Sequence, residues 1–232
     1  MQYAGNFSGS APVIKKYKAS ATGYAAGIVV LRSAANASGQ MSISTTTSAA
    51  DALGLLMDTG NNQGSPIAYS TTQGDPEAVY SVIVNPDQIL RAQMVTGATG
   101  TAITGDTVAT ASSNGLTVVG GTSVASPDMD EGIIWYTSGA NVGKSRKITS
   151  TSSVTATVIV PFAANAVGDT FCYAGINIGL QGVTLTTDLQ KVRTDIAVST
   201  GATLTCLDLE LNGTGDSYAL FTLGDSTFCQ IT

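Results

Sequence analysis

The stretch Gly139-Ala140-Asn141-Val142-Gly143-Lys144-Ser145 ends in the Gly-Lys-Ser of a phosphate-binding loop. Such a loop holds four residues between its first glycine and the Gly-Lys pair; Gly139 leaves only three, and the position that should carry the first glycine is Ser138. The loop must also open a helix whose first amides cradle the phosphate. Residues 146–160 (RKITSTSSVTATVIV) are instead rich in β-branched side chains and read as two strands. Nucleotide chemistry is not expected at this turn.

Two acidic groups, Asp75 with Glu77 and Asp128 with Asp130 and Glu131, have the residue types of cation ligands or paired catalytic carboxylates. Neither supplies the alternating oxygens, central glycine and twelfth-position glutamate of a calcium loop. Carboxylate pairs that cleave glycosides work in clefts lined by aromatics, and the single tryptophan, Trp135, lies inside an apolar strand pattern. These acids read as solvated loop residues, and a carboxylate-dependent hydrolase is the least favoured class. The chain has no histidine, which excludes a Ser-His-Asp triad, a Cys-His dyad and any histidine-bearing metal site. Cys172, Cys206 and Cys229 show no metal or redox spacing, at most one pair can form, and each sits in an apolar or alternating run where a thiol packs as a small hydrophobe. No catalytic residue, cofactor or metal is expected.

The charge balance narrows the partners. Lys plus Arg total 10 against 16 acids, a net charge of -6, so no broad cationic field exists to follow a nucleic-acid backbone. No run approaches a membrane span. The mild apolar stretch 19–31 after Lys15, Lys16 and Lys18 makes a weak secretion signal, interrupted by polar residues and glycine, so an uncleaved soluble chain is expected. The sequons at Asn6, Asn36 and Asn212 matter only in a secretory pathway for which nothing else speaks. The cations cluster twice, at Lys15, Lys16 and Lys18 and at Lys144, Arg146 and Lys147, as solvated faces or as points of contact with an acidic protein partner.

The elements that position these groups are strands. Short runs rich in Val, Ile, Thr and Tyr, bounded by Gly, Asn, Ser and Asp, recur near every ten residues over 13–18, 27–32, 40–46, 78–84, 106–111, 116–119, 132–137, 145–150, 154–160, 169–174, 203–211, 217–223 and 227–231. This predicts an all-β chain of antiparallel barrel or sandwich units. Asn114-Gly115 and Asn212-Gly213 mark hairpins. In 204–211 (LTCLDLEL) Leu204, Cys206 or its neighbours and the alternate Leu207, Leu209 and Leu211 fall on one face, with Asp208 and Glu210 on the other after Cys206. Helix is expected only as a turn or two over 48–54, with a second short turn over 86–90.

Residues 1–11 (MQYAGNFSGSA) read as an N-terminal arm, either a disordered terminus or a segment that orders when Tyr3 and Phe7 dock on a neighbouring subunit. A composition step over 91–100 divides the remainder into a first β unit, 12–92, and a second, 93–232, or else the strands of both halves are woven together.

Two stretches carry a family resemblance. Residues 23–58 (GYAAGIVVLRSAANASGQMSISTTTSAADALGLLMD) resemble a pattern of capsid decoration, or cement, proteins of tailed bacteriophages: an apolar strand, a glycine turn, a second strand, then an Ala-rich turn into a Leu-Gly-Leu strand. Residues 131–174 are similar to a module of phage virion proteins, in which the Gly-rich turn is a hairpin into the strand begun by Lys144-Ser145-Arg146-Lys147-Ile148. The resemblance implies a structural protein of the capsid exterior, made in the host cytoplasm, that binds the major capsid protein, bridges its neighbouring subunits and assembles as a homotrimer. Tyr3, Phe7, Lys15, Lys16, Lys18, Lys144 and Arg146 are the expected partner contacts. A tail-associated or receptor-binding virion protein that recognises a host-surface glycan is the other reading.

Overall fold

The computed structural model describes residues 1–19, 27–32, 42–44, 52–57, 79–85, 87–121, 129–179, 184–186, 190–195, 204–213 and 215–223. The chain is all-β, and these residues contain no α-helix. Strand β1 (Gln2–Asn6) belongs to a sheet completed much later; β2 (Ile14–Ala19), β3 (Val29–Arg32), β4 (Ser42–Ser44), β5 (Ala52–Leu56) and β6 (Val79–Ile83) then close a barrel in the order β2-β4-β3-β5-β6. Next come β7 (Gln88–Thr96) and β8 (Thr101–Ala102). A second closed barrel follows from β9 (Asp106–Thr110), β10 (Thr117–Gly120), β11 (Ile133–Tyr136), β12 (Ser145–Ser152), β13 (Thr155–Val158) and β14 (Thr170–Ala174), ordered β10-β13-β12-β11-β14-β9. Finally β15 (Thr184–Leu185), β16 (Val192–Arg193), β17 (Leu204–Glu210) and β18 (Tyr218–Leu223) join β1, β7 and β8 in a seven-stranded sheet. Pairing is antiparallel except for β2 with β4 and β16 with β7.

Strand β7 organises the sheet. Its sequence QILRAQMVT buries Gln88, Leu90, Ala92 and Met94 on one face and sets Ile89, Arg91 and Gln93 on the other, the period of a strand with one face on a core. It pairs with β1 through residues 88–91 and with β18 through 89–93, so these two strands flank it on opposite edges. The division drawn at 92/93 therefore falls inside a continuous strand. The N-terminal arm is partly ordered by its own chain: Gln2, Tyr3, Gly5 and Asn6 pair with β7, and Tyr3 packs on the sheet's core.

The core has two compartments. Val108, Val118, Ile134, Tyr136, Ile148, Ala156, Val158 and Phe171 fill the six-stranded barrel, with Met129 and Phe162 packed in from loops. Leu90, Ala92, Met94, Leu204, Cys206, Ala219 and Phe221 on the sheet meet Ile133, Trp135, Cys172 and Ala174 on the outer face of that barrel, and Leu55 of the first barrel joins the same cluster. β11 is thus buried on both faces, which is why IIWY shows no polar alternation.

Two local expectations are corrected. The short helix placed over 48–54 gives way at Ala52 to strand β5, with 48–51 outside the described residues. Gly54 is buried so tightly against the Ile83 carbonyl of β6 that a Cβ there would collide with it, so the glycine that argued for a helix end instead permits close strand approach. The turn placed over 86–90 is overtaken by β7, which begins at Gln88. The strand expected over 227–231 lies outside the described residues.

The Asn114-Gly115 turn closes the β9–β10 hairpin, with Gly115 at φ +64° against the Phe162 carbonyl. Among the described residues of the β17–β18 hairpin the left-handed one is Gly215, at φ +85°, and not Gly213. The face switch in LTCLDLEL is a β-bulge between Cys206 and Asp208, which turns Leu209 and Leu211 back toward the core.

Candidate functional site

The segment that joins β1 to β2 is built onto the loop between β6 and β7. Phe7 donates its amide to the Asp87 carbonyl at 3.1 Å, Ser8 donates its amide to the Asp87 carboxylate at 3.1 Å, and Val13 donates to Asn85 Oδ1 at 2.5 Å. The loop is braced from within: the buried Gln88 side chain donates to the carbonyls of Asn85 at 2.9 Å and Ile83 at 3.3 Å. Hydrogen bonds from Ser8 hold the Asp87 carboxyl below its ordinary range. Between these anchors the chain makes its own corner, with the Asn6 side chain donating to Ser10 and Gly9 in a left-handed conformation at φ +65°.

The result is a fixed backbone presenting apolar side chains to solvent. Phe7 is 57% exposed, Val13 48% and Ile14 52%, and the exposed Lys15 follows directly. Of the expected contact residues, Phe7 and Lys15 are exposed, and Tyr3 is half-buried and packs against the chain's own core. Lys16 and Lys18 lie in β2 opposite Ser81 and Val79.

Lys144 and Arg146 belong to the other barrel. The Gly139–Asn141 segment is a single 3-10 turn, and the amides that follow it are spent internally: Val142 donates to the Gly139 carbonyl, Gly143 to Tyr136 and Lys144 to Asn141. Ser145 opens strand β12, so the turn is a hairpin and not a phosphate cradle. Lys144 Nζ lies 3.4 Å from the Ala140 carbonyl and 3.3 Å from Asn141 Oδ1. The buried Asn141 amide clamps the backbone of Ala163 in both directions, at 2.9 and 3.1 Å. Arg146 is half-buried, its guanidinium 5.1 Å above the Phe162 ring and bonded to the Ser145 carbonyl at 2.7 Å.

The same turn lines a cleft of about 450 Å³ between β11 and the β17–β18 hairpin, with Trp135, Val142, Leu209 and Leu211 as its apolar wall. Trp135 is only 2% exposed and its Nε1 donates to the Asn212 carbonyl at 2.7 Å, so its ring offers no stacking face. The outer face of the sheet carries a smaller depression of about 130 Å³, lined by Gln2, Arg91, Gln93, Gln190, Lys191 and Tyr218. There Arg91 lies 3.5 Å above the Tyr218 ring and is bonded to Glu210 at 2.6 and 2.9 Å, a contact that lowers the Glu210 carboxyl and raises the guanidinium.

Of the two acidic groups, the described members make local contacts. Asp130 accepts from the Thr151 hydroxyl at 3.0 Å, and Glu131, at φ 68°, pairs with Lys147. Asp75, Glu77 and Asp128 lie outside the described residues. Among the described residues no group of three or more Cys, Asp or Glu is placed to hold a metal ion, and no helix is long and apolar enough to cross a membrane. No family model, curated protein or solved structure matches the chain.

Proposed function

We propose that this chain is a structural virion protein of a tailed bacteriophage that binds the outside of the capsid and ties neighbouring major capsid subunits together as a homotrimer. The observation that carries the reading is the exposure of three large apolar residues, Phe7, Val13 and Ile14, on a backbone whose anchors lie in the chain's own sheet and loop. Apolar side chains held outward by an anchored backbone suit docking onto a preformed protein surface, because little conformational freedom is lost on contact. Closed barrels leave few free sheet edges, which suits a protein packed densely beside copies of itself. Repeated symmetric attachment needs little affinity per contact, since each bound subunit raises the effective concentration of the next. The sequence resemblance over 23–58 and 131–174 points the same way.

Deleting residues 1–11 would remove β1 and Tyr3 from the sheet along with Phe7, so lost binding could not be separated from lost folding. The cleaner test replaces Phe7, Val13 and Ile14 together by Ser and measures occupancy on capsids lacking the protein, by co-sedimentation. Reduced occupancy with an unchanged melting temperature is expected; full occupancy would overturn the assignment of these residues.

A tail-associated, glycan-binding protein is the second reading, favoured by the depression around Arg91, Gln93, Lys191 and Tyr218. Its amide, guanidinium and ammonium groups suit sugar hydroxyls and carboxylates. In that case soluble glycans compete for attachment and the triple serine variant binds normally.

A further inference from the structure

The chain has two Asn-Gly pairs in hairpin turns, and the structure treats them differently. Both Asn114 and Asn212 are exposed, but Gly115 is buried at φ +64°, where a Cβ would collide with the Phe162 backbone, and its carbonyl accepts from the Phe162 amide at 2.9 Å. Asn114 Oδ1 is held by the Leu116 amide at 3.0 Å and the Ser112 hydroxyl at 2.8 Å. Gly213 is exposed, has no atom within 4 Å of where a Cβ would stand and is not in the left-handed region. The Asn212 side chain reaches forward across the turn, donating from Nδ2 to the Asp216 carbonyl at 3.1 Å.

Asparagine followed by glycine loses its amide when the glycine nitrogen attacks the side-chain carbonyl carbon. A bond forms from Gly N to Asn Cγ, the Cγ–Nδ2 bond breaks, the N–H proton passes through solvent base to the departing nitrogen, and ammonia leaves. Water then opens the five-membered imide at either carbonyl, giving aspartate or isoaspartate. The reaction needs the two atoms to approach bonding distance while the peptide plane between them swings, so the rate follows local freedom as much as residue type. At Asn114 that swing breaks the Phe162 contact and the two bonds to Oδ1. At Asn212 it breaks the bond from Nδ2 to Asp216, a 3.5 Å bond from the Asp216 amide to the Gly213 carbonyl and the hold of Trp135 on the Asn212 carbonyl, but among the described residues none holds Oδ1, and the glycine that moves is exposed and meets no backbone.

We propose that Asn212-Gly213 is a site of spontaneous succinimide formation and isoaspartate conversion, that the packing of Gly115 protects Asn114 from the same chemistry, and that conversion at 212 loosens the link between the β17–β18 hairpin and the six-stranded barrel. That link is the bond from Trp135 Nε1 to the Asn212 carbonyl at 2.7 Å. In isoaspartate the main chain runs through the former side chain, and the carbonyl that Trp135 used becomes one oxygen of a free carboxylate. A backbone carbonyl fixed by the hairpin is replaced by a mobile charged group, and the amide of residue 212, which donates to Ser217 Oγ at 3.1 Å, shifts with it. Trp135 is the chain's single tryptophan, so its emission reports this event without a label. The inference does not depend on the virion reading.

The test holds the purified full chain at mildly alkaline pH, follows each Asn-Gly pair by peptide mass mapping and isoaspartate-specific methylation, and records tryptophan emission on the same samples. Gly213→Ala is the companion variant, since the open space accepts a methyl group that hinders the attack. Conversion is expected at 212 well ahead of 114, several-fold slower in Gly213→Ala, with an emission change that grows in step with isoaspartate. Equal conversion at 114, an unaltered rate in Gly213→Ala, or unmoved emission while isoaspartate accumulates at 212 would each overturn the proposal.

Discussion

Raising the pH should unfold this protein through two buried thiols. Cys172 and Cys206 face the sheet's core at 0% and 1% exposure, and burial pushes their thiols from an ordinary 9.0 up to about 11 and about 12, the charge of Asp208 adding to the second shift. A thiol whose pKa is raised by folding keeps its proton in the native state while the unfolded chain ionises. Its stabilising contribution is therefore intact below pH 9.0 and is lost as pH climbs toward the folded value. Between about pH 9 and about pH 11 each thiol lowers the free energy of unfolding by about 1.4 kcal/mol per pH unit, so the pair lowers it by about 2.8. Urea unfolding followed by Trp135 emission across that range measures the slope. Cys172→Ala and Cys206→Ala each cost some packing at every pH, but each should also remove about 1.4 kcal/mol per pH unit from the slope. Cys229 lies outside the described residues and is left unchanged in both. Variants that melt lower yet keep the parental slope would show that these thiols are not the buried, protonated groups described.

Tyr136→Phe removes the hydroxyl that accepts from Asn165 Nδ2 at 2.9 Å inside the six-stranded barrel, and a loss of about 1–2 kcal/mol in urea unfolding is expected. A change within error would mean that Asn165 is satisfied by its other contacts. Gly115→Ala meets both a left-handed backbone and the Phe162 carbonyl and should cost about 2 kcal/mol or more, whereas Gly213→Ala should leave the melting temperature unmoved. Equal effects at the two glycines would contradict the turn geometry.

Local pattern carried much of the fold. The runs at 13–18, 106–111, 132–137, 145–150 and 169–174 each coincide with a strand because β-branched and aromatic residues alternate or cluster there between turn residues. The switch of face after Cys206 was visible as well, since a bulge leaves its mark in the spacing of leucines. β7 was missed although Leu90, Ala92 and Met94 show the strand period, because Arg, Ala, Gln and Met favour helix by composition and disguised the alternation. Its partners cannot be read locally at all: β1 and β18 meet β7 from opposite ends of the chain. Tyr3 and Phe7 looked alike as aromatics of an arm, and only the pairing of β1 with β7 packs one on the core while the other stays exposed. Val13 and Ile14 were read as strand residues and not as surface, since sequence alternation does not say which strand ends are left uncovered.

The proposed role rests on the number of copies that cover a shell, and that number is the most direct thing to measure. Quantitative mass spectrometry of purified virions, referenced to the major capsid protein, gives it without any structural assumption. Capsid bridging predicts a count that scales with the major capsid protein, close to one copy for each shell subunit. A handful of copies per particle, or none, would contradict it.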